Sequence, residues 1–182
     1  VLEQLKAKGE ALKLEDIVFE GFGGVLCVEA GGPTPGIGCA GRGIISAFEK
    51  LAELEAFETY KPDIVIYDVL GDVVCGGFAM PIRGGYAREV FIVSSGEMMA
   101  LYAASNIAQD ITNFGRRGYA RLKGIILNAK NIENEQELVA KAAAEIGTEV
   151  VQYVPRSGDI QIAENQGGTV SEFVKDSPMV QV

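Results

Sequence analysis

The chain contains no histidine. That absence removes imidazole general bases, Ser-His-Asp and Cys-His nucleophile arrangements, and His-ligated zinc or iron in one stroke. Whatever chemistry remains must run on carboxylates, thiols, Lys/Arg and bound cofactors. Cysteine is scarce as well: Cys27, Cys39 and Cys75 are too few and too widely spaced for a disulfide framework, which points to a reducing compartment. Basic residues are outnumbered, 16 against 25 acidic ones, and the net charge of −9 repels nucleic-acid phosphates where no local basic patch overcomes it. No such patch is present, so no nucleic-acid partner is expected. No apolar run approaches the roughly 18 to 20 residues of a membrane span, and the opening VLEQLKAKGEALKLED is a charged helical pattern without the apolar centre of a signal peptide. No membrane association and a cytoplasmic location are expected.

What is present is a chain of 182 residues, 48% hydrophobic, enough for one domain with a sizeable core. Short apolar blocks rich in β-branched residues alternate with helical patterns. Val25 to Val28, Ile64 to Tyr67, Val90 to Val93, Ile125 to Leu127 and Val150 to Val154 read as strands. Ile44 to Phe57, Glu97 to Phe114 and Glu135 to Ile146 repeat apolar residues at three- and four-residue intervals, with Gly115 and Gly147 as stops. The order predicts a single α/β domain over residues 1–182, a mostly parallel, doubly wound sheet flanked by helices. Ligands of such a sheet bind beyond the carboxyl ends of its strands. The segments there are EAGGPTPGIGCAGRG, DVLGDVVCGGFAMP, SSGE, NAKN and PRSGD, which gather Gly, Asp, Asn, Cys and Arg on one edge.

Gly36, Gly38 and Gly41 match GxGxxG, but five residues, two of them proline, separate them from Gly31's strand side, where a dinucleotide fingerprint runs almost directly from strand to glycine. A Walker A reading fails because Arg42 and Gly43 stand where Lys and Ser/Thr are required. Cys39 and Cys75 both follow strands and have glycine beside them, so backbone amides can approach a sulfur ligand closely. These are the surroundings of a metal site. Cys27, inside VLCVEA, reads instead as a core cysteine. Two thiolates cannot complete an iron-sulfur cluster that takes four, and histidine cannot supply the rest. The arithmetic closes when two copies of the chain present Cys39 and Cys75 across a two-fold axis. Asp68 ends the apolar run DIVIYD, where a Walker B carboxylate holds Mg²⁺, and Asp72 follows in the next turn; these are the candidate catalytic carboxylates. Asp68 and Cys75 share one short loop, so a phosphate-dependent shift at the carboxylates would reach the cysteine, as in a switch segment.

VEAGGPTPGIGCAGRG (Val28 to Gly43) and YDVLGDVVCGGFAMPIR (Tyr67 to Arg83), with SGEMMALYAASNI, GIILN and VPR, resemble the nitrogenase iron protein (dinitrogenase reductase) family and its relatives in chlorophyll and methanogen cofactor synthesis. The resemblance runs over essentially the whole chain. It implies a P-loop NTPase-like homodimer whose Cys39 and Cys75 pairs hold one 4Fe-4S cluster. Such a dimer passes single electrons, with MgATP hydrolysis, from a small donor such as ferredoxin or flavodoxin to a larger partner of the molybdenum-iron protein type. By the same resemblance Arg42 belongs to the docking surface and is a site of ADP-ribosylation in some relatives. Asn128 matches the position that reads the adenine, and Pro155, Arg156, Gln161 and Glu164 match the segment lining the nucleoside. Ser157 stands where relatives commonly carry Asp, which removes a carboxylate from that segment. The sequence holds no GxxxxGK[ST], and SPMVQV stops before the family's last helices; a partial chain, unable alone to bind or hydrolyse ATP, is expected.

Other readings stay open on the residues. GGYAREVF and NAKNIENEQE are less typical of the nitrogen-fixing branch, which leaves a nitrogenase-like reductase serving tetrapyrrole or sulfur metabolism as the alternative. A deviant-Walker dimeric ATPase switch without redox chemistry needs neither cysteine loop. An NAD-dependent oxidoreductase built on the GxGxxG match would bind nicotinamide and no iron.

Overall fold

Backbone pairing early in the chain is local. The structure, a computed structural model, describes residues 1–31, 40–71, 80–115 and 120–182 and divides into two compact units, Val1–Pro81 and Ile82–Val182. In the first unit, helix α1 (Leu2–Lys8) begins where the Leu2 N–H donates to the Ala30 carbonyl (3.1 Å). Strands β1 (Phe19–Glu20) and β2 (Leu26–Cys27) pair antiparallel, Phe19 opposite Cys27. The turn between them depends on glycine: Gly23 and Gly24 take φ of 69° and 80°, a region costly for a residue with a Cβ. Helices α2 (Ala40–Glu53) and α3 (Ala56–Tyr60) follow, joined through Glu55 at φ 54°. Ala47 and Phe48 give α2 its buried face, and the Phe48 ring lies 5.3 Å from that of Tyr67 at a 36° tilt, holding the segment after α3 against the helix.

Two expected strands differ here. Val25 to Val28 does not join the later strands but closes a two-residue hairpin, because the glycine turn lets its backbone pair locally with β1. Ile64 to Tyr67 forms no strand among the described residues, and Ile64 and Ile66 are 81% and 86% exposed. An apolar run of this kind makes a strand only where neighbours pair with its backbone. Cys27, in this two-residue hairpin, is exposed rather than in a core.

After the single turn α4 (Met80–Arg83), the second unit follows the expected alternation. Its elements are β3 (Glu89–Ser94), α5 (Met98–Gly115), β4 (Arg121–Asn128), α6 (Glu135–Glu145), β5 (Val150–Val154), α7 (Gly158–Asn165) and α8 (Val170–Phe173). The three strands form a parallel sheet in the order β3-β4-β5. Ala104, Ala108 and Ile111 recur at helical spacing on α5, and with Val139 and Ala143 of α6 they cover Ile92, Ile125 and Leu127. Small residues on both helices bring them close to the β-branched sheet surface. Gly147, at φ 78°, follows α6, and its N–H donates to Ala144 while that of Thr148 reaches Ala143, closing the helix end. Among the described residues no helix is long and apolar enough to cross a membrane.

Candidate functional site

The parallel sheet sends the residues after β3, β4 and β5 to the same edge, the one where ligands of such sheets bind. Asn128 is the last residue of β4 and pairs in register with Val154, the last of β5. The next N–H along β4, that of Ala129, donates to the Val154 carbonyl at 2.9 Å. Asn128 therefore stands beside Pro155 and Arg156; Asn128 and Arg156 are exposed and Pro155 is half-buried. Gln161 and Glu164 lie one turn apart on exposed positions of α7, with Gln161 Nε2 donating to Glu164 Oε2 at 3.4 Å. Of the residues the resemblance assigns to a nucleoside, the register thus brings Asn128, Pro155 and Arg156 together, and α7 carries the other two.

Ser157, where the family pattern has an acid, has a local task. Its Oγ accepts the Asp159 N–H at 3.1 Å and caps α7. The Asp159 carboxylate in turn accepts from the buried Ser177 hydroxyl, which starts the turn Pro178–Gln181. The cap fixes where α7 begins, and with it where Gln161 and Glu164 stand.

Glu135, the first residue of α6, was not legible as a site residue, because a helix-initiating acid reads as a solvated charge. It is 6% exposed. Its Oε1 accepts the Gly96 N–H at 2.9 Å and the Lys130 N–H at 3.1 Å; its Oε2 accepts from Lys130 at 3.0 Å and Ile132 at 3.2 Å. Burial pushes this carboxyl up, yet the backbone N–H groups of Gly96, Lys130, Ile132 and Asn131 outweigh it and hold the group below its ordinary value. One buried carboxylate thereby links the segment after β3 to the segment after β4. Beside it, Asn131 to Glu137 and Tyr153 line an open depression of ≈ 590 Å³.

Of the other expected site residues, Cys39, Cys75 and Asp72 lie outside the described residues. Arg42 falls in the first turn of α2, its side chain likewise outside what is described. Asp68 is exposed, just after the segment that Tyr67 anchors to α2.

The family model described as 4Fe-4S iron sulfur cluster binding proteins, NifH/frxC family, matches residues 1–182. The chain is 52% identical over 182 residues to a nitrogenase iron protein of Methanospirillum hungatei, an alignment covering 98% of this chain and 64% of that protein. The chain therefore spans a little under two thirds of the length of this relative.

Proposed function

Because the chain belongs to the NifH/frxC family of 4Fe-4S iron-sulfur cluster binding proteins, we propose that it is part of an ATP-dependent electron-transfer subunit of the nitrogenase iron protein type. In this reading a homodimer passes single electrons from a 4Fe-4S cluster shared by its two subunits to a larger partner of the molybdenum-iron protein type, for nitrogen fixation. The α/β, P-loop NTPase-like class expected from the sequence is the class of the family, and the parallel sheet with its covering helices agrees with it. Residues 1–182 are one α/β domain of that subunit in this reading.

The observation that carries the reading is a family match running through both cysteine loops of a chain that has no histidine. Cys39 and Cys75 offer two soft thiolate donors per chain, the right chemistry and half the number, so two chains are needed for four ligands. The cluster, when bound, supplies a one-electron redox centre; this chain's part is to hold it between glycine-flanked loops. Asp68 and Asp72 carry the Mg²⁺ of MgATP, directly or through water. Asn128, Pro155, Arg156, Gln161 and Glu164 take the nucleoside end, for which the adjacency of Asn128 to Pro155 and Arg156 speaks. Arg42, beside the ligand Cys39, serves partner docking and is the candidate for ADP-ribosylation. A ferredoxin or flavodoxin is the donor, and the cytoplasm the location.

The 52% identity to a protein named nitrogenase iron protein favours the nitrogen-fixing branch over a reductase of tetrapyrrole or sulfur metabolism. The test is iron and sulfide content with visible and EPR spectra of the anaerobically purified full-length protein, beside its Cys39→Ala and Cys75→Ala variants. Loss of the cluster in each single variant is expected; retention in either defeats the ligand assignment.

A further inference from the structure

The path that the chain takes after β4 is sharply turned. Asn131 and Asn134 both sit in the left-handed region, at φ 62° and 55°, which asparagine enters more readily than other residues with a Cβ. The Glu135 carboxylate holds this path, collecting the N–H groups of Lys130 and Ile132 within this loop and that of Gly96 from the loop after β3. On the other side the Ala129 N–H is fastened to Val154 of β5. The two residues that follow Asn128 are thus both held by their backbone, one to each neighbouring element.

We propose that Glu135 is the positioning residue of the nucleoside edge, a buried carboxylate that clamps the loops after β3 and β4 together and so fixes where Asn128 stands. The inference rests on the reading of Asn128 as the base contact. Gly96 is part of the device. A Cβ there would lie 2.7 Å from Glu135 Cγ and 3.2 Å from Oε1, so only glycine lets the carboxylate come this close. A carboxylate is needed because it accepts from three N–H groups at once. An amide has one acceptor oxygen and would turn its own NH₂ toward donors.

The experiment measures binding by the full-length protein of MgATP and of magnesium tripolyphosphate, which offers the same phosphate chain without the nucleoside. Glu135→Gln is expected to weaken MgATP about tenfold, the worth of one well-placed hydrogen bond to the base, and to leave tripolyphosphate within about twofold. Asn128→Ala should weaken MgATP to a similar degree. The double variant should bind no more weakly than Asn128→Ala alone, because a residue acting through another is not additive with it. Additive losses, a parallel loss of tripolyphosphate affinity, or an unaffected Glu135→Gln beside a weakened Asn128→Ala overturn the positioning role and leave the base contact standing. An Asn128→Ala protein that binds MgATP normally removes the base contact, and the clamp's purpose with it. Should Glu135→Gln fail to fold, Gly96→Ala displaces the same carboxylate and must give the same pattern.

Discussion

Replacing Glu135 by alanine strips three backbone N–H groups of their acceptor at once. The bond from Gly96 is buried, so its N–H loses its partner without gaining water, at about 1–3 kcal/mol; those of Lys130 and Ile132 are part-buried and can rehydrate, at about 0.5–1 kcal/mol each. Removing a buried charge returns part of its desolvation cost, which leaves a net destabilisation of about 2–3 kcal/mol. Glu135→Gln retains one acceptor and should lose about 1–2 kcal/mol. Because the folded carboxyl is held below its ordinary value of 4.5, its contribution is fully present above that value and is lost as pH falls through the lower, folded one. The difference between the native protein and Glu135→Gln should therefore be constant from neutral pH down to about 4.5 and shrink below it. Urea unfolding at several pH values gives the global energies, and amide hydrogen exchange at Gly96, Lys130 and Ile132 gives the local ones. If exchange at Gly96 is unchanged in the alanine variant, or the difference from Glu135→Gln grows as pH falls below 4, the clamp has been misread.

Gly124 lies under Val151 in the sheet, and a Cβ built on it would be 2.3 Å and 2.8 Å from the two methyls of that side chain. Gly124→Ala should cost about 1–3 kcal/mol by overpacking, and adding Val151→Ala should restore most of it; a double variant as unstable as the single one refutes the steric account. Ser157→Ala removes the cap of α7 and should cost about 1 kcal/mol in denaturant unfolding. Ser157→Asp, which keeps a capping oxygen, should lose nothing.

The second unit was legible because its signals agreed with one another. Ile92, Ile125 and Leu127 sit in β-branched runs, Ala104, Ala108 and Ile111 recur at helical spacing, and a parallel sheet buries both. Val150 to Val154 matched to the residue. The first unit was less so. The run around Cys27 has the composition of a buried strand, but composition does not say what backbone will pair with it, and the turn at Gly23 and Gly24 makes the immediately preceding strand its partner. Ile64 to Tyr67 carries the same ambiguity and forms no strand among the described residues. At the candidate site, Asn128, Pro155 and Arg156 could be named from their motifs, and the register then placed them side by side. Glu135 could not, since its burial follows from the converging backbone of two loops far apart in sequence. Its faint signal was a glycine, Gly96, two residues after β3, at a φ that does not itself demand glycine.

At the centre of the proposed function stands a cluster shared by two chains, each contributing Cys39 and Cys75. Native mass spectrometry of the full-length protein, purified without oxygen, weighs polypeptide and inorganic atoms together. The expected result is a dimer carrying a single 4Fe-4S cluster and a Cys75→Ala protein without it; a monomer bearing an intact cluster contradicts the shared site.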